Sequence, residues 1–291
     1  MAGSSPDEIA LINTAMCEWR QGDFFIAKDL FFIHLANLVQ PLTTEAIELA
    51  AERVKLSEPL EIEGVASAVI GYVVITQTCD IVKNCKTRSY VELCPLVQVD
   101  EPVLKETRLL RRPAFALVPG AAGHRFVADL DRVITTEKAF LSSYEPIRGC
   151  KDDSESRAFA DALARHKTRA AFPNDFNIAM EPVRDYLKKI HRSQGSEGCL
   201  IQSIGEIRVT ALPNWSAEKI SIYLWLILLP QSDSPTGDTS LYIEKWIALF
   251  GQSDRYNLEA VVCRLEDMKA SDYVGGDRLD LDALSAGYLS A

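Results

Sequence analysis

The segment Gly71-Tyr72-Val73-Val74-Ile75-Thr76-Gln77-Thr78-Cys79-Asp80 constrains the fold more than any other part of the chain. An apolar, β-branched run reads as a core strand. Here it breaks at once into polar side chains and an aspartate. Such a break carries polar groups to the rim of a sheet, where binding and catalytic sites are commonly built.

Composition sets the frame around that strand. A chain of 291 residues, 47% of them apolar, is long enough for two domains of ordinary size. Its net charge of −10 argues against an indiscriminate grip on nucleic acid, because sequence-independent binding to phosphates needs a cationic surface. A local basic groove stays open as an alternative. The seven cysteines are odd in number and irregularly spaced, and no secretory leader precedes them, so free thiols in a cytoplasmic setting are expected. The longest apolar run, Ile220 to Pro230, falls well short of the roughly 20 residues that a spanning helix needs, so no membrane partner is expected.

The order of elements follows from caps, turns and periodicity. Ser4-Ser5-Pro6-Asp7-Glu8 starts a helix running to about Trp19, and Arg20-Gln21-Gly22-Asp23 turns into a strand from Phe24. Thr43-Thr44-Glu45 caps a second helix, with Ile47, Ala50 and Val54 as its apolar stripe and Pro59 as its stop. Strands are then expected at Leu60–Val65, Ala68–Thr76, Ser89–Val97, Leu109–Leu117 and Arg125–Thr135, a spacing that suits a small closed barrel. The polar stretch Gly149 to Glu155 marks the expected boundary between a β-rich domain, 1–150, and an α+β domain, 151–291. In the second half, helices are expected at Asp153–Thr168, Phe176–Arg192 and Ser240–Phe250, with strands at Cys199–Leu212, Lys219–Leu229 and Leu258–Leu265. The fold class is therefore α+β.

Three motifs together resemble a known family. They are Arg20-Gln21-Gly22-Asp23-Phe24, then Gly71-Tyr72-Val73-Val74-Ile75-Thr76, then Val91-Glu92-Leu93-Cys94-Pro95-Leu96. In this order they are similar to the PemK/MazF-type toxins, in which a Gly-Asp turn opens the first barrel strand and a hydrophobic strand ends in a hydroxyl residue. The resemblance implies a small SH3-like barrel and endoribonuclease activity or an inactive relative of it. By motif position it gives Arg20 and Thr76 as the catalytic pair, although Ala68-Val69-Ile70 stands where that family carries a basic-proline entry. The ending Gln77-Thr78-Cys79-Asp80-Ile81 resembles bacterial proteins of mobile or defence gene neighbourhoods. That resemblance implies an antiviral or toxin-antitoxin setting and no particular chemistry.

Several constellations invite chemistry of their own. Cys79 on a rim would be a nucleophile if His34 or His124 reached it, with Asp80 or Gln77 orienting the base. The alternative is a small half-buried thiol beside an aspartate that caps a turn. Cys79, Cys85 and Cys94 are separated by five and eight residues, wider than structural zinc pairs, so no metal or other cofactor is expected. Arg157, Arg165, Lys167 and Arg169 recur on one helix and would meet phosphates if they shared a face. A solvated ladder with Asp161 is the alternative. The acids from Asp272 to Asp282 lack calcium-loop order. No phosphate loop, dinucleotide fingerprint or serine elbow occurs. The reading that best fits is a bacterial binding or regulatory component acting with a protein partner. The alternatives are a nucleic-acid-acting effector using Arg20, Thr76, Cys79 and Asp80, and a thiol or metal enzyme centred on Cys79.

Overall fold

The computed structural model describes residues 5–110, 112–168, 170–191, 193–229, 239–251 and 253–279. They form an α+β protein in two compact units, 1–167 and 168–291.

The first unit opens with α1 (Pro6–Met16), where Ser5 and Glu8 form a reciprocal capping box. A turn fixed by Gly22, at φ 91°, leads into β1 (Phe24–Asn37). There follow α2 (Thr44–Lys55), β2 (Ile62–Val74), α3 (Thr78–Ile81), β3 (Tyr90–Gln98), α4 (Glu101–Arg108), β4 (Phe115–Leu117), β5 (Phe126–Asp129), β6 (Ile134–Glu137), α5 (Lys138–Leu141) and α6 (Asp153–Lys167). The strands pair in the order β1-β2-β3-β5-β4, with β6 also on β3. All these pairings are antiparallel. No pairing between β1 and β4 closes the sheet among the described residues.

Several elements differ from the sequence expectation for identifiable reasons. The strands expected at 60–65 and 68–76 are one strand, β2, because β1 pairs along its whole length from Ile62 to Val73. The strand expected at Leu109–Leu117 shrinks to Phe115–Leu117; the capped helix α4 ends at Arg108, and Leu110 turns with φ 54° where the strand was to begin. On α2 the buried stripe is Ala46 and Ala50, while Ile47 and Val54 stay exposed. The small residues face the sheet because they let the helix approach it closely.

The boundary expected at Gly149–Glu155 falls later, after Lys167. The segment around Gly149 is embedded in the first unit: its carbonyl accepts from Gly120 N at 2.8 Å, and Ile147 bridges to Phe24. A Cβ on Gly149 would lie 1.8 Å from the Gly22 carbonyl oxygen, so no larger residue fits there. Phe159 and Ala162 of α6 then pack in one core with Phe24, Val73 and Leu96. Polar composition marks the surface of this stretch, and the apolar stripe of α6 decides where it belongs.

The second unit comprises α7 (Asn174–Ile190), α8 (Ser196–Ser203), β7 (Ile204–Leu212), β8 (Ile220–Leu228), α9 (Ser240–Leu249), β9 (Tyr256–Cys263), α10 (Ala270–Gly275) and β10 (Asp277–Leu279). Its sheet runs β10-β7-β8-β9, with β8 and β9 parallel. The segment joining those two strands contains α9, as a parallel crossover requires. Helix α8 replaces the first part of the strand expected from Cys199. Phe176, Met180, Val183 and Leu187 recur at helical spacing on α7 and bury against Ile207, Leu224 and Leu258 of the sheet. Of the acidic C-terminal stretch, residues 280–282 lie outside the described residues.

Candidate functional site

At Tyr72–Val74, β2 is hydrogen-bonded to β1 on one side and β3 on the other, and these residues are buried. The ladder ends two residues later. Ile75 N donates to Glu92 O at 3.0 Å, and Glu92 N then donates to the Thr76 hydroxyl at 2.6 Å, so a hydroxyl replaces the next backbone acceptor. Beyond Gln77 the backbone curls into the single helical turn α3.

Two residues from elsewhere hold this turn. Gln21 donates its backbone N–H to the Thr78 hydroxyl at 3.1 Å and its side-chain amide to Ile75 O at 2.7 Å. The Arg20–Asp23 turn is thereby tied to the polar end of β2. Lys138 is completely buried, and its ammonium donates to the carbonyls of Asp80, at 2.9 Å, and Lys83, at 2.6 Å. These are orphan acceptors at the end of the turn, so the lysine ammonium caps its C-terminus. Burial pushes its pKa down, against the attraction of Cys85 and Asp80.

A cleft of about 530 Å³ opens beside the turn. Gln21, Thr76, Gln77, Asp80, Arg88 and Glu92 supply its polar wall; Ile75, Leu130, Val133 and Leu163 line it with apolar surface; His166 and Lys167 reach it from the end of α6. The Asp80 carboxylate receives Lys83 Nζ at 2.7 Å and lies 3.4 Å from Arg88. His166 Nδ1 is 3.0 Å from Pro113 O. The cleft therefore presents both signs of charge and both donors and acceptors.

Of the residues singled out from the sequence, Thr76, Gln77, Asp80 and Lys167 line this cleft. Cys79 does not; it is exposed, with its thiol 3.7 Å from the Gln77 amide oxygen. Arg20 is exposed and outside the cleft lining, and its backbone N–H donates to Asp23 at 2.9 Å. His34 stacks on Phe32 and contacts Thr43, and His124 lies against Phe126, so neither is placed at the cleft with Asp80. Cys94 is buried in β3, and burial pushes its thiol up to about 12, which suits a packing role. Among the described residues no three His, Cys, Asp or Glu residues converge as metal ligands.

The arginines of α6 do not form one solvent face. Arg165 is buried, whereas Arg157 is exposed and lies 4.0 Å from Asp153 rather than beside Asp161. Arg169 lies outside the described residues. The site residues that sequence reasoning missed are Gln21, Arg88, Glu92, Lys138 and His166. Glu92 carried a signal, since it interrupts the apolar run Val91–Leu96 and must point away from the core. Lys138 carried none, because its acceptors are backbone carbonyls more than fifty positions away.

The Asp80 ion pairs set a pH dependence. The Lys83 ammonium, with Arg88 and Lys138 behind it, holds the Asp80 carboxyl below its ordinary 3.8. A carboxyl depressed on folding contributes stability that is present above its unfolded pKa and lost as pH falls through the folded one. Urea midpoints measured from pH 6 down to pH 2.5 will therefore fall less steeply below about pH 4 in Asp80→Asn than in the parent. Parallel acid limbs for the two proteins would show that the ion pairs have no energetic role.

No family model matches this protein, and neither a curated protein nor a solved structure does. Among the described residues no helix is long and apolar enough to cross a membrane.

Proposed function

We propose that this protein is a binding or regulatory component, acting with a protein partner in the cytoplasm of a bacterial defence or toxin-type system, rather than a free-standing enzyme. The observation that carries this reading is the state of the groups at the polar end of β2. The Thr76 hydroxyl already accepts a backbone N–H, Asp80 is engaged by Lys83 and Arg88, and Cys79 lies outside the cleft that Asp80 lines. A nucleophile needs a base within hydrogen-bond reach, and among the described residues the partner of the Cys79 thiol is the Gln77 amide oxygen, with no histidine bonded to it. What remains is a cleft able to recognise a polar ligand through mixed donors and acceptors. The defence setting rests on the likeness of Gln77-Thr78-Cys79-Asp80-Ile81 to proteins of such neighbourhoods.

The partner has a surface to meet. Distal to the bulge between Ile26 and Leu30, β1 and β2 run on as a two-stranded ribbon. One face of it is covered by α2 through Leu38, Ala46, Ala50 and Val65. The other exposes Phe31, Ile33 and Leu35 of β1, directly paired with Ala68, Ala66 and Gly64 of β2. This uncharged apolar face is a ridge of large side chains beside a furrow of small ones. A two-fold axis lying in the contact plane and parallel to the strands lays each ridge in the other furrow, which is the self-complementarity that an isologous contact requires. The partner this face fits is a second copy of the protein.

One observation favours a second reading. Gln21 ties the Arg20–Asp23 turn to Ile75 and Thr78, which brings two of the three motifs of the PemK/MazF resemblance together. Incubation with single-stranded RNA separates the readings. The binding reading expects no cleavage, with or without divalent cations. Cleavage that disappears in Arg20→Ala or Thr76→Ala would replace it with a PemK-like endoribonuclease.

A further inference from the structure

The second unit holds a cavity of about 440 Å³, separate from the cleft described above. It lies between α7, α9 and the sheet. Met180, Val183, Leu187, Leu224, Trp246 and Leu258 are among the side chains that make its wall apolar. Its volume is within the range of small-molecule pockets. In a protein of net charge −10, the charged residues lining it are two arginines, Arg184 and Arg278, and no acid lines it among the described residues.

Neither guanidinium is saturated by the described residues. Arg184 has one contact with a carboxylate, Glu181 at 3.8 Å, and its Nε is buried without a hydrogen-bond partner. Arg278 Nε lies 3.9 Å from Glu206. Both distances exceed that of a hydrogen bond. Arginine presents five N–H donors in a rigid fork that matches a carboxylate. A buried donor left without an acceptor is costly, and an anion arriving with an apolar tail would relieve that cost while filling the cavity.

We propose that this cavity binds an amphipathic carboxylate, an unbranched acyl chain whose carboxylate is held by Arg184 and Arg278 and whose hydrocarbon lies along Met180, Val183, Leu224 and Leu258. The charge selects the head group and the wall selects the tail. Neutral or cationic amphiphiles of equal length offer the arginines no acceptor of comparable strength.

The test uses the full-length protein and three probes of equal length below their micellar concentrations: decanoate, decanol and decyltrimethylammonium. Calorimetry will find decanoate bound at least about tenfold more tightly than decanol, as loss of a charge-assisted pair implies, and decyltrimethylammonium bound weakest. Arg278→Met, at a partly exposed position, keeps the unliganded melting temperature and loses that tenfold preference, leaving decanol affinity unchanged. Val183→Trp fills the space; where it lowers stability, Ala260→Leu replaces it, and either abolishes binding of both probes. Equal affinity for decanoate and decanol, tighter binding of the cation, or no binding of any probe overturns the proposal. Co-sedimentation with anionic phospholipid vesicles without decanoate binding overturns it as well, in favour of a membrane surface.

Discussion

Asp23→Ala will lower the stability of the first unit by roughly 2–4 kcal/mol, the range for removing one partner of a buried, hydrogen-bonded ion pair. Asp23 is 2% exposed, and its carboxylate accepts from Arg20 N at 2.9 Å, from Gly149 N at 3.4 Å and from the Arg148 guanidinium. It joins the turn before β1 to the strand-like segment at Ile147–Gly149, which are far apart in sequence. Burial pushes its carboxyl above the ordinary 3.8, while those three donors pull the other way. The ionised aspartate is therefore costly to hold in place, and deleting it is costlier, because two backbone N–H groups lose their acceptor and the guanidinium, which also donates to Glu18 O, loses its carboxylate. Asp23→Asn keeps one acceptor oxygen and will cost less than Asp23→Ala. Arg148→Met will also cost less, since that side chain is 43% exposed and water can replace it. Urea unfolding of the three variants checks the order. An Asp23→Ala protein within about 0.5 kcal/mol of the parent, the spread of neutral surface changes, would refute the argument.

The sign of the pH effect at Asp23 is opposite to that at Asp80. A carboxyl raised on folding keeps its proton to higher pH than in the unfolded state, so its contribution declines as pH rises from 3.8 through the folded value. At Asp80 the contribution grows over the window just below 3.8. The two aspartates differ because one is surrounded by protein and the other faces cations at the edge of a cleft.

Local signals made much of this fold legible. The Ser5 cap, the Thr43 cap and the Arg20–Asp23 turn before β1 each act within a few residues, and the elements they imply are present. The failures came where tertiary partners decide. Nothing local separates a break at residues 66–67 from a continuous β2, because that strand is defined by its ladder to β1. Likewise, the polar stretch before α6 reads as a linker until Phe159 and Ala162 are seen to complete the core around Val73.

The site was half legible for the same reason. The apolar-to-polar break of β2 pointed to Thr76, Gln77, Thr78, Cys79 and Asp80; Thr76, Gln77 and Asp80 line the cleft, and Thr78 and Cys79 do not. Its other members arrive from distant elements: Gln21 from the turn before β1, Arg88 and Glu92 from around the start of β3, and His166 from α6. The basic spacing on α6 misled because helical periodicity gives a residue's direction but not what lies there, and Arg165 points into the protein.

Ile33→Glu will make the protein monomeric at concentrations where the parent is a dimer, weakening self-association by on the order of 100-fold or more, as charges buried at the centre of an interface do. Ile33 is the middle of the exposed ridge, flanked by Phe31 and Leu35 and paired with Ala66, and it is 63% exposed in the monomer. Its replacement therefore leaves folding nearly untouched, and an unchanged melting temperature of the dissociated protein will confirm that. The proposed two-fold pairing would place the glutamate twice in one contact, each copy desolvated against an apolar furrow without a cation to pair it. Ala66→Phe tests the other half of the fit, because a filled furrow cannot accept a ridge, and it will raise the dissociation constant although it adds apolar surface. A merely sticky patch would respond in the opposite direction, associating more strongly as hydrophobic area grows. Sedimentation equilibrium over a concentration series distinguishes these outcomes. A parent that stays monomeric at about 100 μM, or an Ala66→Phe variant that associates more tightly, would rule out a second copy as the occupant of this face.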